Sequence, residues 1–207
     1  MHNNEYKGRF LTFSTRILGF FSILFWVLLI YGFEEPYVAG VTVIAAVIHE
    51  LGHIAVMRAR HGGGRVRGAL SGLRIRKKSF LSYKEDFRLA AAGPLANMVS
   101  AAAALPFLGL SEEYVGTFIS VSLATAAANL LPVRGNDGYN MIFAVLAEGE
   151  FAERGFAVLN FVSRGITLSL CVVALYLMDR VGEGYWIFAV FYLSLLGELG
   201  RGLQGLY

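Results

Sequence analysis

Apolar residues along this chain gather into long runs, and charged residues, glycines and prolines concentrate in the short stretches between them. Six of these runs are long enough, as helices, to cross a hydrocarbon core of about 30 Å. They cover residues 17–33, 37–57, 87–109, 114–133, 156–178 and 184–203. Backbone polar groups find no water in hydrocarbon, so each run is predicted to be helical. The predicted fold class is therefore all-α: a polytopic membrane protein with six transmembrane helices.

Residues 58–81, after the second run, follow a different pattern, with apolar and polar residues alternating on either side of Ser71-Gly72. A period of two is typical of strands, and a Ser-Gly pair is typical of a turn. We expect a short β-hairpin at the membrane edge. It could pair with an extended substrate backbone, as in strand addition, or be an ordinary basic loop held at the lipid headgroups.

The third run carries two local signals. Ser82-Tyr83-Lys84-Glu85 fits a capping box and predicts a helix start. Further along, Gly93-Pro94-Leu95-Ala96-Asn97 interrupts the apolar pattern, because proline lacks a backbone donor and Asn97 needs partners inside the membrane. Small residues at four-residue intervals predict that this helix packs closely against a neighbour; they are Ala92, Ala96, Ser100 and Ala104.

Composition supports the membrane class. Hydrophobic residues make up 56% of the 207 and charged residues 16%, with a mean hydropathy of +0.57. The first run follows Lys7, Arg9 and Arg16, as in a signal peptide, but Phe33-Glu34-Glu35-Pro36 after it offers no small-residue cleavage site. We interpret this run as a retained anchor and expect residues 1–207 to form a single domain.

Basic residues mark the cytoplasmic loops of membrane proteins and therefore predict the orientation. With the N-terminus inside, every Lys and Arg except Arg180 falls on or near the cytoplasmic side, whereas Glu34, Glu112 and Asp179 fall outside. The sequence predicts a multi-pass cell-membrane protein with both termini in the cytoplasm. Anionic lipid facing the basic loops accounts for the net charge of +3, so no nucleic-acid partner is expected.

The run from Tyr37 to Met57 contains the chain's main candidate chemistry, His49-Glu50-Leu51-Gly52-His53. Residues four apart share one helix face, so the two histidines can hold one zinc ion while Glu50 takes a proton from bound water. Ionisable side chains at membrane depth are costly and usually functional. The pattern predicts a zinc hydrolase with Glu50 as its catalytic residue.

A zinc ion on two histidines needs a third protein ligand and leaves its fourth position to water. Asp137, at the cytoplasmic end of the fourth run, is the best candidate, because it reaches a depth comparable to the metal, about 8–14 Å below the cytoplasmic surface. A membrane zinc protease acting on soluble or unfolded chains would instead use a glutamate near a membrane end; the candidates are Glu148, Glu150 and Glu198. A catalytically silent scaffold or metal-binding subunit of the same fold is a further alternative.

Three motifs together resemble the site-2 protease family of intramembrane zinc metalloproteases. They are the HExxH motif, the Gly93-Pro94-Leu95-Ala96-Asn97 segment and the spacing Asn129-x-x-Pro132-x-x-x-x-Asp137-Gly138. The resemblance covers residues 37–150, and the six-span layout is similar to the compact branch that includes the sporulation pro-sigma-factor processing protease. It implies one Zn²⁺ per chain on His49, His53 and Asp137, with Glu50 as general base. It also implies that Asn129 positions the scissile peptide or stabilises the oxyanion.

The resemblance further implies a substrate: a transmembrane segment of another protein, cut in or near the membrane toward the cytoplasmic side. The loops have no room for an inserted peptide-binding domain, so regulation is expected from a separate protein or from the substrate. Two residues depart from the family pattern. Asn136 stands where leucine is usual, and Asn140 stands where a basic residue is common.

Overall fold

The computed structural model describes residues 31–32, 34–61, 65–69, 72–76, 82–180 and 192. The helices with defined bounds are α1 (Pro36–His61), α2 (Tyr83–Ala104), α3 (Glu112–Leu130), α4 (Asp137–Leu146) and α5 (Ala152–Arg180). A 3₁₀ helix over Leu105–Leu110 continues α2 toward α3. Among the described residues, three helical stretches are long and apolar enough to cross a membrane: Pro36–Arg60, Tyr83–Leu110 and Ala152–Arg180.

These three stretches coincide with the second, third and fifth predicted spans, so the helical class of the described chain agrees with the sequence. Helix α3 falls on the fourth predicted span but is not among the three, and its crossing of the membrane stays a prediction. The first and sixth predicted spans lie almost entirely outside the described residues. The full count of six spans therefore also stays a prediction.

Between α1 and α2, strands β1 (Arg65–Ala69) and β2 (Gly72–Arg76) pair antiparallel. Arg65 lies opposite Arg76, and Ala69 lies opposite Gly72. The pair occupies the stretch in which the alternation predicts a hairpin. Its position at a membrane edge stays a prediction.

Helix α2 begins as the sequence predicts. The Glu85 backbone N–H donates to Ser82 Oγ at 3.3 Å, and the Ser82 N–H donates to Glu85 Oε2 at 3.1 Å, so both halves of the capping box form. The helix then contacts α1, α3 and α4, which makes it the central element of the described fold.

Helices α1 and α2 approach each other closely through small residues. A Cβ added to Gly52 of α1 would lie 2.5 Å from the Ala92 carbonyl oxygen and 2.8 Å from Ala96 Cβ, so only glycine fits at this crossing. Away from this contact α1 presents apolar side chains, with Ile44 and Leu51 exposed by 52% and 55%. Such a face is what a membrane-embedded helix directs toward lipid.

Near their N-terminal ends, α1 and α3 are joined by a tyrosine pair. The Tyr37 hydroxyl donates to the Tyr114 carbonyl oxygen at 2.7 Å, and the two rings meet edge to face at 4.8 Å. Because α1 and α3 start at the same end of the bundle, α2 runs antiparallel to both.

The chain leaves α3 at Leu130 and begins α4 at Asp137. Hydropathy predicts Asp137 at the end of the fourth span, but in the structure this residue opens a separate helix. Pro132 has no N–H to continue an α-helical ladder, and Gly135 adopts a φ of +108°, a conformation that side chains disfavour. These two residues break the chain between the helices.

Helix α5 is held to the α3–α4 connection and to the first turn of α4 by one hydrogen bond each. The Tyr139 hydroxyl donates to Asn160 Oδ1 at 2.8 Å, and the Arg134 N–H donates to Ser163 Oγ at 2.8 Å. The rings of Phe143 and Phe156 stack at 4.3 Å between α4 and α5. These contacts fix the position at which α4 begins.

Candidate metal centre

His49 and His53 lie one turn apart on the same face of α1, and the side chain of Asp137 reaches them from the first residue of α4. The two histidine Nε2 atoms are 3.2 Å apart. Asp137 Oδ2 lies 2.9 Å from His49 Nε2 and 3.2 Å from His53 Nε2. Both histidines are buried, and the Asp137 side chain is only 14% exposed. The structure thus brings together the three residues that the sequence singled out as metal ligands.

This triangle has the dimensions of a metal site. Zinc bonds of about 2.0–2.1 Å put neighbouring ligand atoms of a tetrahedral site about 3.3 Å apart, close to the three observed distances. Two imidazole nitrogens and one carboxylate oxygen form a donor set that suits zinc. Three electron-rich atoms this close in a buried place repel one another unless a proton or a cation lies between them. His49, His53 and Asp137 can therefore hold one metal ion and leave a fourth position for water.

The tautomer of His53 follows from its second hydrogen bond. His53 Nδ1 lies 2.7 Å from the carbonyl oxygen of Leu89 in α2, and a carbonyl can only accept, so Nδ1 carries the proton. In the neutral ring Nε2 then offers a lone pair to the triangle, as a metal-ligating histidine does. Sequence patterns could not reveal this partner because it is a backbone atom.

Gly93 of α2 allows the two imidazoles to lie directly against the helix backbone. A Cβ added at this position would lie 2.6 Å from both Cε1 and Nε2 of His49 and would also overlap His53 Nε2. Any side chain larger than hydrogen would therefore displace the ligands. Gly93 belongs to a motif that resembles the site-2 protease family, but the motif alone does not predict this contact with the histidines.

Two neighbours of Asp137 set its position. A Cβ on Gly138 would overlap the Leu130 carbonyl oxygen and lie 2.9 Å from the Leu131 carbonyl oxygen, so glycine lets α4 start directly against the end of α3. Asn136 Nδ2 donates to the Ala128 carbonyl oxygen at 2.8 Å, which satisfies a carbonyl in the last turn of α3. Asn136, which stands where leucine is usual in the family, thus makes a hydrogen bond that a leucine side chain could not make.

The remaining predicted site residues have different surroundings. Glu50 follows His49 directly on α1 and is partly buried, and its role as general base stays a prediction. Asn129 is partly buried, and its Nδ2 donates to the Thr125 carbonyl oxygen at 3.0 Å in its own helix. Its contact with substrate stays a prediction.

The glutamates proposed as alternative third ligands do not join the triangle in the described structure. Glu148 and Glu150 are exposed, and neither belongs to the cluster of His49, His53 and Asp137. Glu198 lies outside the described residues. Among the carboxylates that the structure describes, Asp137 is the one that meets both imidazoles.

The fold of this chain is similar to that of known proteins, although its sequence is not. No protein-family model and no curated protein sequence matches this chain. The fold is similar to the solved structure of the Site-2 Protease from Methanocaldococcus jannaschii, with a TM-score of 0.59 over 86% of this chain and 88% of that chain. The two sequences are 15% identical. The similarity therefore establishes a shared fold, and the chemistry has to be argued from the site.

Proposed function

We propose that this chain is an intramembrane zinc metalloprotease of the site-2 protease type. It hydrolyses peptide bonds in or near transmembrane segments of membrane-protein substrates. The observation that carries the proposal is the meeting of two HExxH histidines, on a helix apolar enough to span a membrane, with a carboxylate from a different element at 2.9 and 3.2 Å. The fold shared with a solved site-2 protease supports it.

His49, His53 and Asp137 would hold one Zn²⁺, which when bound polarises the substrate carbonyl and acidifies a water molecule. As the water oxygen bonds to the carbonyl carbon, Glu50 accepts a proton from the water. As the C–N bond breaks, Glu50 passes the proton to the leaving amine, which completes the hydrolysis. A carboxylate beside the ligand triangle is therefore required for the reaction but not for holding the metal.

We propose that Asn129 assists by contacting the scissile peptide or the oxyanion. Its Nδ2 donates one of its two hydrogens to the Thr125 carbonyl oxygen, which leaves the second hydrogen for a substrate oxygen. The substrate must change, because peptide bonds in a membrane helix are already hydrogen-bonded and shielded. Helix-breaking residues near the cleavage site are therefore expected.

The proposed setting is a multi-pass cell-membrane protein with both termini in the cytoplasm and the active site toward the cytoplasmic side. Its partners are a transmembrane substrate, membrane lipid and a separate regulatory protein, with no role for nucleic acid. A catalytically silent scaffold or metal-binding subunit would have the same ligands. It would have no use for Glu50, which lies next to them.

The proposal is tested by co-expressing wild type or Glu50→Gln with candidate single-span substrates. A cleavage product that forms with wild type and not with Glu50→Gln supports the protease, provided both proteins accumulate equally and carry zinc. Equal product from both variants would indicate another protease in the host. Absence of product with every substrate, from a wild type that holds zinc, would favour the silent scaffold.

A further inference from the structure

The two histidines of the metal centre differ in their outer contacts. His53 Nδ1 donates to the Leu89 carbonyl oxygen, which fixes its ring. His49 Nδ1 is buried and has no hydrogen-bond partner in the described part of the chain. A metal-ligating histidine almost always donates its second ring N–H to an acceptor. The site as described so far therefore lacks an acceptor for His49.

The packing of α1 on α2 indicates where this acceptor lies. The helices are antiparallel, and His53 contacts α2 at Leu89 and at Gly93, while His49 lies against Gly93. One turn toward the N-terminus of α1, from His53 to His49, therefore corresponds to one turn toward the C-terminus of α2. Position 97 shares the face of Gly93 and is the next position on α2 at the level of His49.

Asn97 occupies that position and is 0% exposed. Both polar atoms of its carboxamide, Nδ2 and Oδ1, lack a hydrogen-bond partner among the described residues. By contrast, the buried Ser163 and Thr167 hydroxyls have partners at 2.8 and 2.9 Å. A fully buried amide is costly in an apolar interior unless it is paired. Asn97 and His49 Nδ1 thus offer complementary unused groups on adjoining helices.

We infer that Asn97 is the positioning residue for His49. Its Oδ1 accepts the proton of His49 Nδ1, directly after side-chain rotation or through one buried water, and so directs the His49 Nε2 lone pair into the ligand triangle. Asn97 thereby does for His49 what the Leu89 carbonyl does for His53. This role rests on the proposed metal-binding function and adds a residue that touches neither metal nor substrate.

The test measures zinc affinity of the full-length, detergent-purified protein by competition with a chelator of known affinity. Asn97→Leu keeps the γ-branched shape in a larger side chain and removes both polar atoms, and Asn97→Ala removes them without added volume. Asn97→Asp retains an acceptor oxygen, because carboxylates commonly orient ligating histidines. Ser122→Ala is the matched control, since Ser122 is also 0% exposed and its hydroxyl has no partner among the described residues, but it lies on α3.

We expect Asn97→Leu and Asn97→Ala to bind zinc about 10–100-fold more weakly than wild type, with Asn97→Asp and Ser122→Ala close to wild type. Thermal unfolding of the zinc-free proteins identifies any variant that merely loses packing. Wild-type affinity in a folded Asn97→Leu, or an equal loss in Asn97→Asp, would overturn the role of Asn97. If wild type binds zinc no better than His49→Ala, the proposed metalloprotease itself fails.

Discussion

At the scale of single residues, the candidate metal centre needs a glycine, which has no Cβ, as much as it needs its three ligands. Gly93 leaves room for both imidazoles, because a Cβ there would lie 2.6 Å from two ring atoms of His49. Contacts under about 3.0 Å force neighbours to move, and overpacking costs about 1–3 kcal/mol in well-packed proteins.

Gly93→Ala should therefore weaken zinc binding at least about tenfold, as displacement of supporting residues does at other metal sites, and reduce proteolysis accordingly. Gly165→Ala is the matched control, because no atom of the described part of the chain lies within 4 Å of a Cβ at that position of α5. Zinc titration and substrate cleavage of both variants measure the effect. Equal binding by the two would show that the ligands do not depend on the space at Gly93.

The sequence predicted the residues of the triangle better than it predicted what supports them. The spacing of His49 and His53 places them on one helix face, and the need for a third ligand points to Asp137 from the sequence alone. The Leu89 carbonyl could not be predicted, because any residue type offers the same acceptor. The bond from Asn129 to Thr125 and the contact of Asn136 with Ala128 depend on local packing that no pattern encodes.

At the scale of elements, the decisive feature is the break between α3 and α4. Asp137 can face α1 because α4 begins immediately beside the end of α3, and Gly138 permits this contact. The first turn of α4 is also tied to α5 by the hydrogen bond from Tyr139 to Asn160. A shift of this short helix would move the carboxylate without changing any ligand.

Gly138→Ala tests this arrangement, because its Cβ would overlap the Leu130 carbonyl. We expect a loss of about 1–3 kcal/mol in stability, the usual cost of overpacking, together with weaker zinc binding. Gly149→Ala, beyond the other end of α4, is the control, since its Cβ would meet Leu146 O at an ordinary 3.5 Å. Unfolding and zinc titrations that leave Gly138→Ala equal to this control would contradict the account.

Helix starts were predictable where side chains encode them, as with the capping box of Ser82 and Glu85. The ends of helices were harder to predict, because an apolar run can continue through residues at which the backbone turns. The 3₁₀ segment over Leu105–Leu110 and the separate helix α4 both lie inside or just beyond apolar runs. Hydropathy indicates which residues are apolar but not how their backbone runs. The six runs therefore did not reveal the 3₁₀ segment or the separate helix α4.

At the scale of the whole molecule, the described chain combines three membrane-length apolar stretches with one buried polar cluster. Large apolar side chains cover the outer faces of α1 and α5, whereas both histidines are buried inside. This arrangement places both histidines and Asp137 within a helical bundle. The described chain shares its fold with a solved site-2 protease.

The central claim is that His49, His53 and Asp137 bind one zinc ion, and the most direct test is the zinc content of the purified full chain. Wild type, Glu50→Gln and Glu148→Gln should each carry about one zinc per chain, as expected of a site with three protein ligands, whereas Asp137→Ala should carry almost none. Elemental analysis after mild chelator washing gives the number. Full zinc in Asp137→Ala would contradict the account, and loss from Glu148→Gln would assign the third ligand to that glutamate instead.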